Sequence, residues 1–187
     1  MAITDILPPA AEPVTLDYVK TFLRVDHSES DDVIEGFMRA ARLHIEDRLR
    51  TTLIERIRRF TSANFAGSCL RLDDFPIKSL NAIRLIDEDG TGVDVPLDDF
   101  QLRVSAQPAQ LSLGQGGSWA AYINGASSIE VDYRAGYGPS EADVPMPLRQ
   151  AILLLTGHFY QYRGDATTPS YPFMLDALLM PYQRVRL

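Results

Sequence analysis

The sequence predicts an α+β protein: a small bundle of two N-terminal helices plus a long C-terminal helix, carrying an antiparallel β insertion. Three observations carry this. Apolar residues recur at helical spacing over 15–24, 31–50 and 147–163. From about 53 to 137 the period shortens, and brief apolar runs alternate with Gly and Asp turns. Helices so far apart in the chain, each with one apolar stripe, are expected to pack together and leave the strands between them as an insertion.

Residues 1–14, with Pro8, Pro9 and Pro13, read as an extended arm outside the core. A single domain is expected over 15–164. Thr15 is the expected N-cap of the first helix, where Leu16, Val19, Phe22 and Leu23 share a face. The acidic break RVDHSESDD then supplies Ser and Asp side chains able to cap the second helix. In that helix Val33, Phe37, Ala41, Ile45 and Leu49 recur every four residues, widened by Ile34 and Met38. Glu35, Arg39, Arg42, Glu46 and Arg50 line the opposite, solvent face.

Strands are expected at 53–61, 69–72, 100–104, 110–113 and 119–123, with extended chain also around SLNAIRLID and VDVP. The cleanest strand is SSIEVDYRA: Ile129, Val131 and Tyr133 point one way, Glu130, Asp132 and Arg134 the other. In the turn that follows, Gly136 and Gly138 are expected to take angles that a side chain opposes. Tyr137 should bury its ring there, and Arg134 should cover the edge or pair with the acidic loop beyond. Pro147 suits the first turn of the last long helix, whose stripe is Leu148, Ile152, Leu155, Phe159 and Tyr162. Gly164 is expected to end it, and Gly157 either softens it or lets a neighbour pack closely. Residues 165–187 form a proline-containing linker, a short amphipathic helix and a basic end. So short a helix is unstable alone, so it packs on its own domain or enters a partner's groove.

Composition bounds the function. A chain of 187 residues, 45% hydrophobic and 23% charged, suits a soluble globular protein. Its net charge of -7 opposes tight binding of nucleic acid through phosphates, though not guiding DNA without holding it. The single cysteine excludes an intrachain disulfide framework. No basic-then-apolar leader and no long apolar run is present, so a soluble intracellular product, or part of something assembled inside a cell, is expected, with no membrane partner.

The three histidines show no metal-site spacing, and DEDGTGVD puts its glycine too early for a calcium loop. The glycines of SLGQGGSWAAYINGA lack the phosphate-loop lysine, and no G-x-S-x-G elbow exists. No catalytic, cofactor or metal residue is therefore assigned, and no small-molecule ligand is expected. Two alternatives stand beside this reading. One is a hydrolase-like enzyme joining Asp73, Asp74, Asp99 and His158 in one pocket. The other is a DNA-packaging accessory protein using Arg56, Arg58 and Arg59, a group that a solvated strand face also explains.

VDYRAGYG, the helix VPMPLRQAILLLTGHFYQYRGD after its acidic loop, and the final LLMPYQRVRL together resemble a known family. It is the head–tail connector (adaptor) proteins of tailed phages and phage-like particles, within them the group called gp6-like or gp8-like. VTLDYVKTFLRVDHSESDDVIEGFMRAARLHIEDRL is similar to that family's first helix pair. The motif residues are Tyr133, Gly136, Tyr137, Gly138, Pro147, Arg149, Tyr160 and Arg163.

The resemblance implies a structural, non-enzymatic virion component without cofactors. It implies a self-assembled ring of about a dozen copies under the portal of a phage or gene transfer agent. Such a ring joins the portal to the stopper or next tail protein and lets double-stranded DNA pass. The protein would be made in the bacterial host cytoplasm and reside at the head–tail interface. The C-terminal docking helix and tail, implied to meet the portal, contribute Met174, Leu175, Leu178, Leu179, Tyr182, Arg184, Arg186 and Leu187.

Overall fold

Four α-helices and two antiparallel sheets make up the described part of the chain, which covers residues 2–63, 69–106, 108–114, 119, 125–163 and 173–183 of a computed structural model. Where one domain with an insertion was expected, the chain divides into two units. Met1–Pro9 and Glu55–Gly136 form a sheet unit; Ala10–Ile54 and Tyr137–Leu187 form a helical unit.

In the sheet unit the strands are β1 (Ala2–Asp5), β2 (Arg56–Ser62), β3 (Cys69–Leu72), β4 (Ile77–Ile86), β5 (Gly92–Asp94), β6 (Phe100–Arg103), β7 (Ala109–Leu113) and β8 (Ser128–Ala135). One sheet has the order β1-β2-β8-β4-β5, the other β3-β7-β6, and every pairing is antiparallel. β8 is central because its alternation buries Ile129, Val131 and Tyr133, with Phe60 of β2 and Ile83 of β4 both opposite Val131. Leu70, Leu72, Leu111 and Trp119 complete the same core.

The extended-arm reading of residues 1–14 is corrected at both ends. Ala2–Asp5 is an edge strand registered on Arg58–Thr61, and Val14 is buried in the helical core. The strand expected at 119–123 is also revised: Trp119 is helical, and 120–124 lie outside the described residues.

The helical unit contains α1 (Leu16–Leu23), α2 (Asp31–Leu49), α3 (Met146–Tyr162) and α4 (Phe173–Leu179). Thr15 caps α1, its Oγ1 accepting from Tyr18 N at 3.3 Å. Ser30 precedes α2 without a side-chain cap; instead Lys20 Nζ donates to Asp31 at 2.6 Å. The buried stripe of α2 is Ile34, Met38, Ala41, Ile45 and Leu49, whereas Val33 is exposed. A strict four-residue series drifts around a helix of 3.6 residues per turn, so its first member leaves the core side.

Arg42 and Glu46, expected on the solvent face, are buried. Arg42 donates to Glu12 at 2.7 Å and to Glu46 at 2.9 Å, and the other Glu46 oxygen accepts from Leu53 N at 2.9 Å. Each charge is thus paired and hydrogen-bonded, which is what burial demands. α1, α2 and α3 all end on arginines in the left-handed region, Arg24, Arg50 and Arg163, at φ 57°, 51° and 44°. Arg163 therefore ends α3 where Gly164 was expected; Gly164 itself lies outside the described residues. Among the described residues no helix is long and apolar enough to cross a membrane.

Candidate functional site

The C-terminal segment is built on the helical core. Leu175 and Leu179 of α4 are buried in it, and Leu178 and Tyr182 pack half-buried against it. Asp176 pairs with Arg48 of α2. A seven-residue helix gains its order from this packing, each fully buried Leu contributing about 1.5–3 kcal/mol. Of the two placements open for this helix, Leu175 and Leu179 take the first, on their own domain. Met174 on α4 and Met180 in the following turn are exposed, as are Asp176, Ala177 and Pro181. Arg184, Arg186 and Leu187 lie outside the described residues.

The motif around VDYRAGYG spans the unit boundary, which falls between Gly136 and Tyr137. Gly136 has φ +126° and its amide donates to Pro76 O at 2.9 Å. Tyr137 N donates to Leu53 O at 3.1 Å, and its ring packs against the helical core. Gly138 has no left-handed φ, so the expected reason for that glycine is corrected. A Cβ there would stand 2.3 Å from Asp143 Cγ, and it is close approach that requires glycine. Asp143 accepts from Ser140 N at 2.9 Å and Ser140 Oγ at 2.8 Å, closing the turn before α3.

Pro147 occupies the first turn of α3. Arg149 Nε donates to Pro13 O at 3.1 Å and faces Glu141 at 3.6 Å. Arg163 lies 5.0 Å over the Tyr160 ring, a cation–π contact. Arg134 pairs with Glu55 at 2.9 Å instead of with the loop after it. Gly136, Tyr137 and Gly138 thus shape the turn at the unit boundary, while Tyr160 and Arg163 pair at the end of α3.

The basic triplet Arg56, Arg58 and Arg59 is not a solvated face. Arg56 lies 3.0 Å from Asp5; Arg58 donates to Asp5 at 2.8 Å and Asp74 at 2.9 Å; Arg59 donates to Asp132 at 2.7 Å and faces Glu130 at 3.1 Å. Burial works against the Arg58 charge, but Asp74, the Tyr133 side chain and Asp5 outweigh it and hold its pKa above the ordinary value. The hydrogen bond from Arg59 to Asp132 raises the Arg59 pKa likewise. Burial, then the Asp74 charge, pushes the Tyr133 phenol well above its ordinary range; its hydroxyl donates to Asp74 at 3.2 Å. Sequence pattern hides this network, because its members come from β1, β2, the β3–β4 connection and β8.

The four residues of the enzyme alternative divide between the units: Asp73, Asp74 and Asp99 belong to the sheet unit and His158 to the helical unit. Asp74 is committed to Arg58 and Tyr133, Asp73 and Asp99 are exposed, and His158 belongs to α3, its ring 4.9 Å from that of Tyr162. Among the described residues no group of three or more His, Cys, Asp or Glu could hold a metal ion. An open depression of ≈ 420 Å³ at the end of α1, lined by Asp17, Lys20, Thr21, Arg24, Val25 and Asp26, lacks the apolar walls of a small-molecule site.

Residues 13–80 match the family model described as phage gp6-like head-tail connector protein. No curated protein matches the sequence. Among solved structures, "Virion of native gene transfer agent (GTA) particle" contains a chain of the same fold, with a TM-score of 0.87 and 24% identity over 100% of this chain and 97% of that one. "Neck of empty GTA particle computed with C6 symmetry" and "Neck of native GTA particle computed with C12 symmetry" contain chains 26% identical with a TM-score of 0.83, again covering 100% of this chain and 97% of theirs. The resemblance to head–tail connectors carried by the sequence is thereby shown, through the gp6-like family model over residues 13–80 and through the fold of gene transfer agent neck chains over the whole length.

Proposed function

We propose that this protein is a structural adaptor of a phage or phage-like particle such as a gene transfer agent. It sits at the head–tail interface as a ring of about a dozen copies under the portal, links the portal to the stopper or next tail protein, and lets DNA pass. The observation that carries this reading is the agreement, along nearly the full length of both chains, with components of particle necks computed with C12 and C6 symmetry. The acidic balance of -7 supports a conduit, because like charge opposes adhesion of phosphates at short range. The internal pairing of Arg56, Arg58 and Arg59 removes the most compact basic group available for holding DNA. The segment from Met174 to Leu187 is the proposed portal contact, offering Met174 and Met180 from the packed helix and the basic residues Arg184 and Arg186 beyond it.

Electron microscopy of the full-length protein assembled with its portal tests the reading. A closed ring on the portal is expected, and a chain truncated before residue 173 should lose portal attachment while its sheet unit stays folded. Unchanged attachment of the truncated chain removes the docking assignment; absence of any ring on the portal or in particles removes the adaptor reading.

A further inference from the structure

The two sheets of the sheet unit treat their basic residues differently. Arg56, Arg58, Arg59, Lys78, Arg84 and Arg134, all on strands of the five-stranded sheet, each have a carboxylate within 3.0 Å. The three-stranded sheet buries Leu70, Leu72, Leu111 and Leu113 on its inner side, and alternation turns Arg71, Gln110 and Arg103 outward. Register sets these three in one row: Arg71 of β3 and Arg103 of β6 both lie opposite Gln110 of β7. With strands about 4.8 Å apart, the two arginine backbones stand about 10 Å from each other. The neighbouring row is Cys69, Ser112 and Gln101, so these strands put no carboxylate on this face. Both arginines are exposed, and among the described residues neither is ion-paired; Asp73, two residues past Arg71, is exposed and makes no pair with it. A chain of net charge -7 has carboxylates to spare, yet it gives this row none.

The opposite surplus sits at the turn between β4 and β5. Asp87 accepts from the amides of Asp89 and Thr91 at 3.1 and 2.8 Å, which fixes the turn. Glu88 and Asp89 are exposed at its tip, and among the described residues neither side chain is ion-paired. We propose that the Arg71–Gln110–Arg103 row of one copy receives the Glu88–Asp89 tip of the next copy in the ring. The inference rests on the ring reading above and names a contact that the ring would use. A closed cyclic ring requires every copy to offer its neighbours two different patches. The row lies on the outer face of one sheet and the tip at the end of a hairpin of the other, so one copy can offer both at once. Opposite charge on the two patches sets which surfaces meet and in what orientation, more than how tightly. A second copy is the occupant favoured because chains of this fold occur in particle necks computed with C12 and C6 symmetry, where each has a like neighbour. Phosphates of passing DNA are the competing anion, disfavoured by the net charge of -7 around the row.

The test uses full-length protein assembled with its portal and scored for ring occupancy by electron microscopy. Arg71→Glu with Arg103→Glu, and separately Glu88→Arg with Asp89→Arg, should each lower occupancy at least tenfold. The chain carrying all four reversals should assemble again, because its two patches have exchanged signs. Circular dichroism and the fluorescence of Trp119, buried in the sheet-unit core, report the fold. Arg71→Gln with Arg103→Gln takes the place of the glutamate pair if that pair does not fold. Folded two-site variants that form rings like wild type overturn the inference and leave the ring reading standing. A folded four-site variant that assembles no better than the two-site variants overturns it as well. Arginine-row variants that form normal rings but release DNA at lower salt assign the row to phosphate contact, which also overturns it. A wild type that never forms rings overturns both readings.

Discussion

Asp74→Ala should be among the most damaging single substitutions in the sheet unit, and its cost follows from the contacts it removes. Asp74 is 3% exposed. One carboxylate oxygen accepts from Arg58 at 2.9 Å and from the Tyr133 hydroxyl at 3.2 Å; the other accepts from the amide of Phe75 at 2.8 Å. Alanine leaves a half-buried guanidinium short of a counter-charge and removes the acceptor of the Tyr133 hydroxyl and the Phe75 amide. Breaking a buried pair by removing one partner costs about 3–5 kcal/mol. Asp5 still faces Arg58 at 2.8 Å, which argues for the lower end, about 3 kcal/mol. Trp119, the only tryptophan, is buried in the sheet-unit core 5.5 Å from Phe100, so its fluorescence reports this unit alone. With a urea slope of about 1–3 kcal/mol per molar, the midpoint should fall by roughly 1–3 M. Tyr133→Phe removes one hydrogen bond and should cost only about 1 kcal/mol. A loss below about 1 kcal/mol for Asp74→Ala would refute the claim that the network is a fully coupled buried cluster.

Other expectations follow from single sites. Thr156 is fully buried and, among the described residues, its hydroxyl finds no partner; Thr156→Val should raise stability by about 1 kcal/mol, seen calorimetrically as roughly 2–4 °C in Tm. A fall in Tm would reveal a buried water bound there. Gly138→Ala should cost about 1–3 kcal/mol through its clash with Asp143, whereas Gly36→Ala, on an open face of α2, should gain about 1 kcal/mol, both measured by thermal melting. Hydrogen bonding from Lys78, outweighing partial burial and joined by Arg134, holds the Glu55 pKa below its ordinary 4.5. Its charged form is favoured in the fold, so that contribution is present above pH 4.5 and lost as pH falls through the lowered value; Glu55→Gln should flatten acid unfolding curves there. Tyr133 has the opposite sign: the fold keeps its proton while the unfolded chain releases it near pH 10.0, so stability should fall above that pH and fall less in Tyr133→Phe.

The elements most legible in the sequence were those whose order is local. The Thr15 cap of α1, the apolar stripes of α1, α2 and α3 and the alternation of β8 are set by side chains within a few residues of one another. The phase of α2 was legible only to within one residue, because Val33 and Ile34 are equally apolar and only the packed core chooses between them. β1 was not legible: its partners Arg58–Thr61 lie more than fifty residues onward, and four residues rich in nothing distinctive look like an arm until β2 is beside them. The burial of Arg42 and Glu46 was hidden for the same reason, since Glu12 and the Leu53 amide make it affordable from outside the helix. The tail was legible as an amphipathic helix, but its period could not say whose core it would fill.

The pairing of β1 with β2 also orders events during synthesis. The chain enters the sheet unit with Ala2–Asp5, leaves it at Pro9, and returns only at Glu55. At about 5–20 residues per second, the first strand waits several seconds on the ribosome before its partner emerges. Through that interval Asp5 has no guanidinium to meet, and α1 and α2 have no α3 to cover them. Neither unit can finish until β8 and then α3 have left the exit tunnel, so a nascent chain stalled before residue 128 exposes both unfinished cores at once.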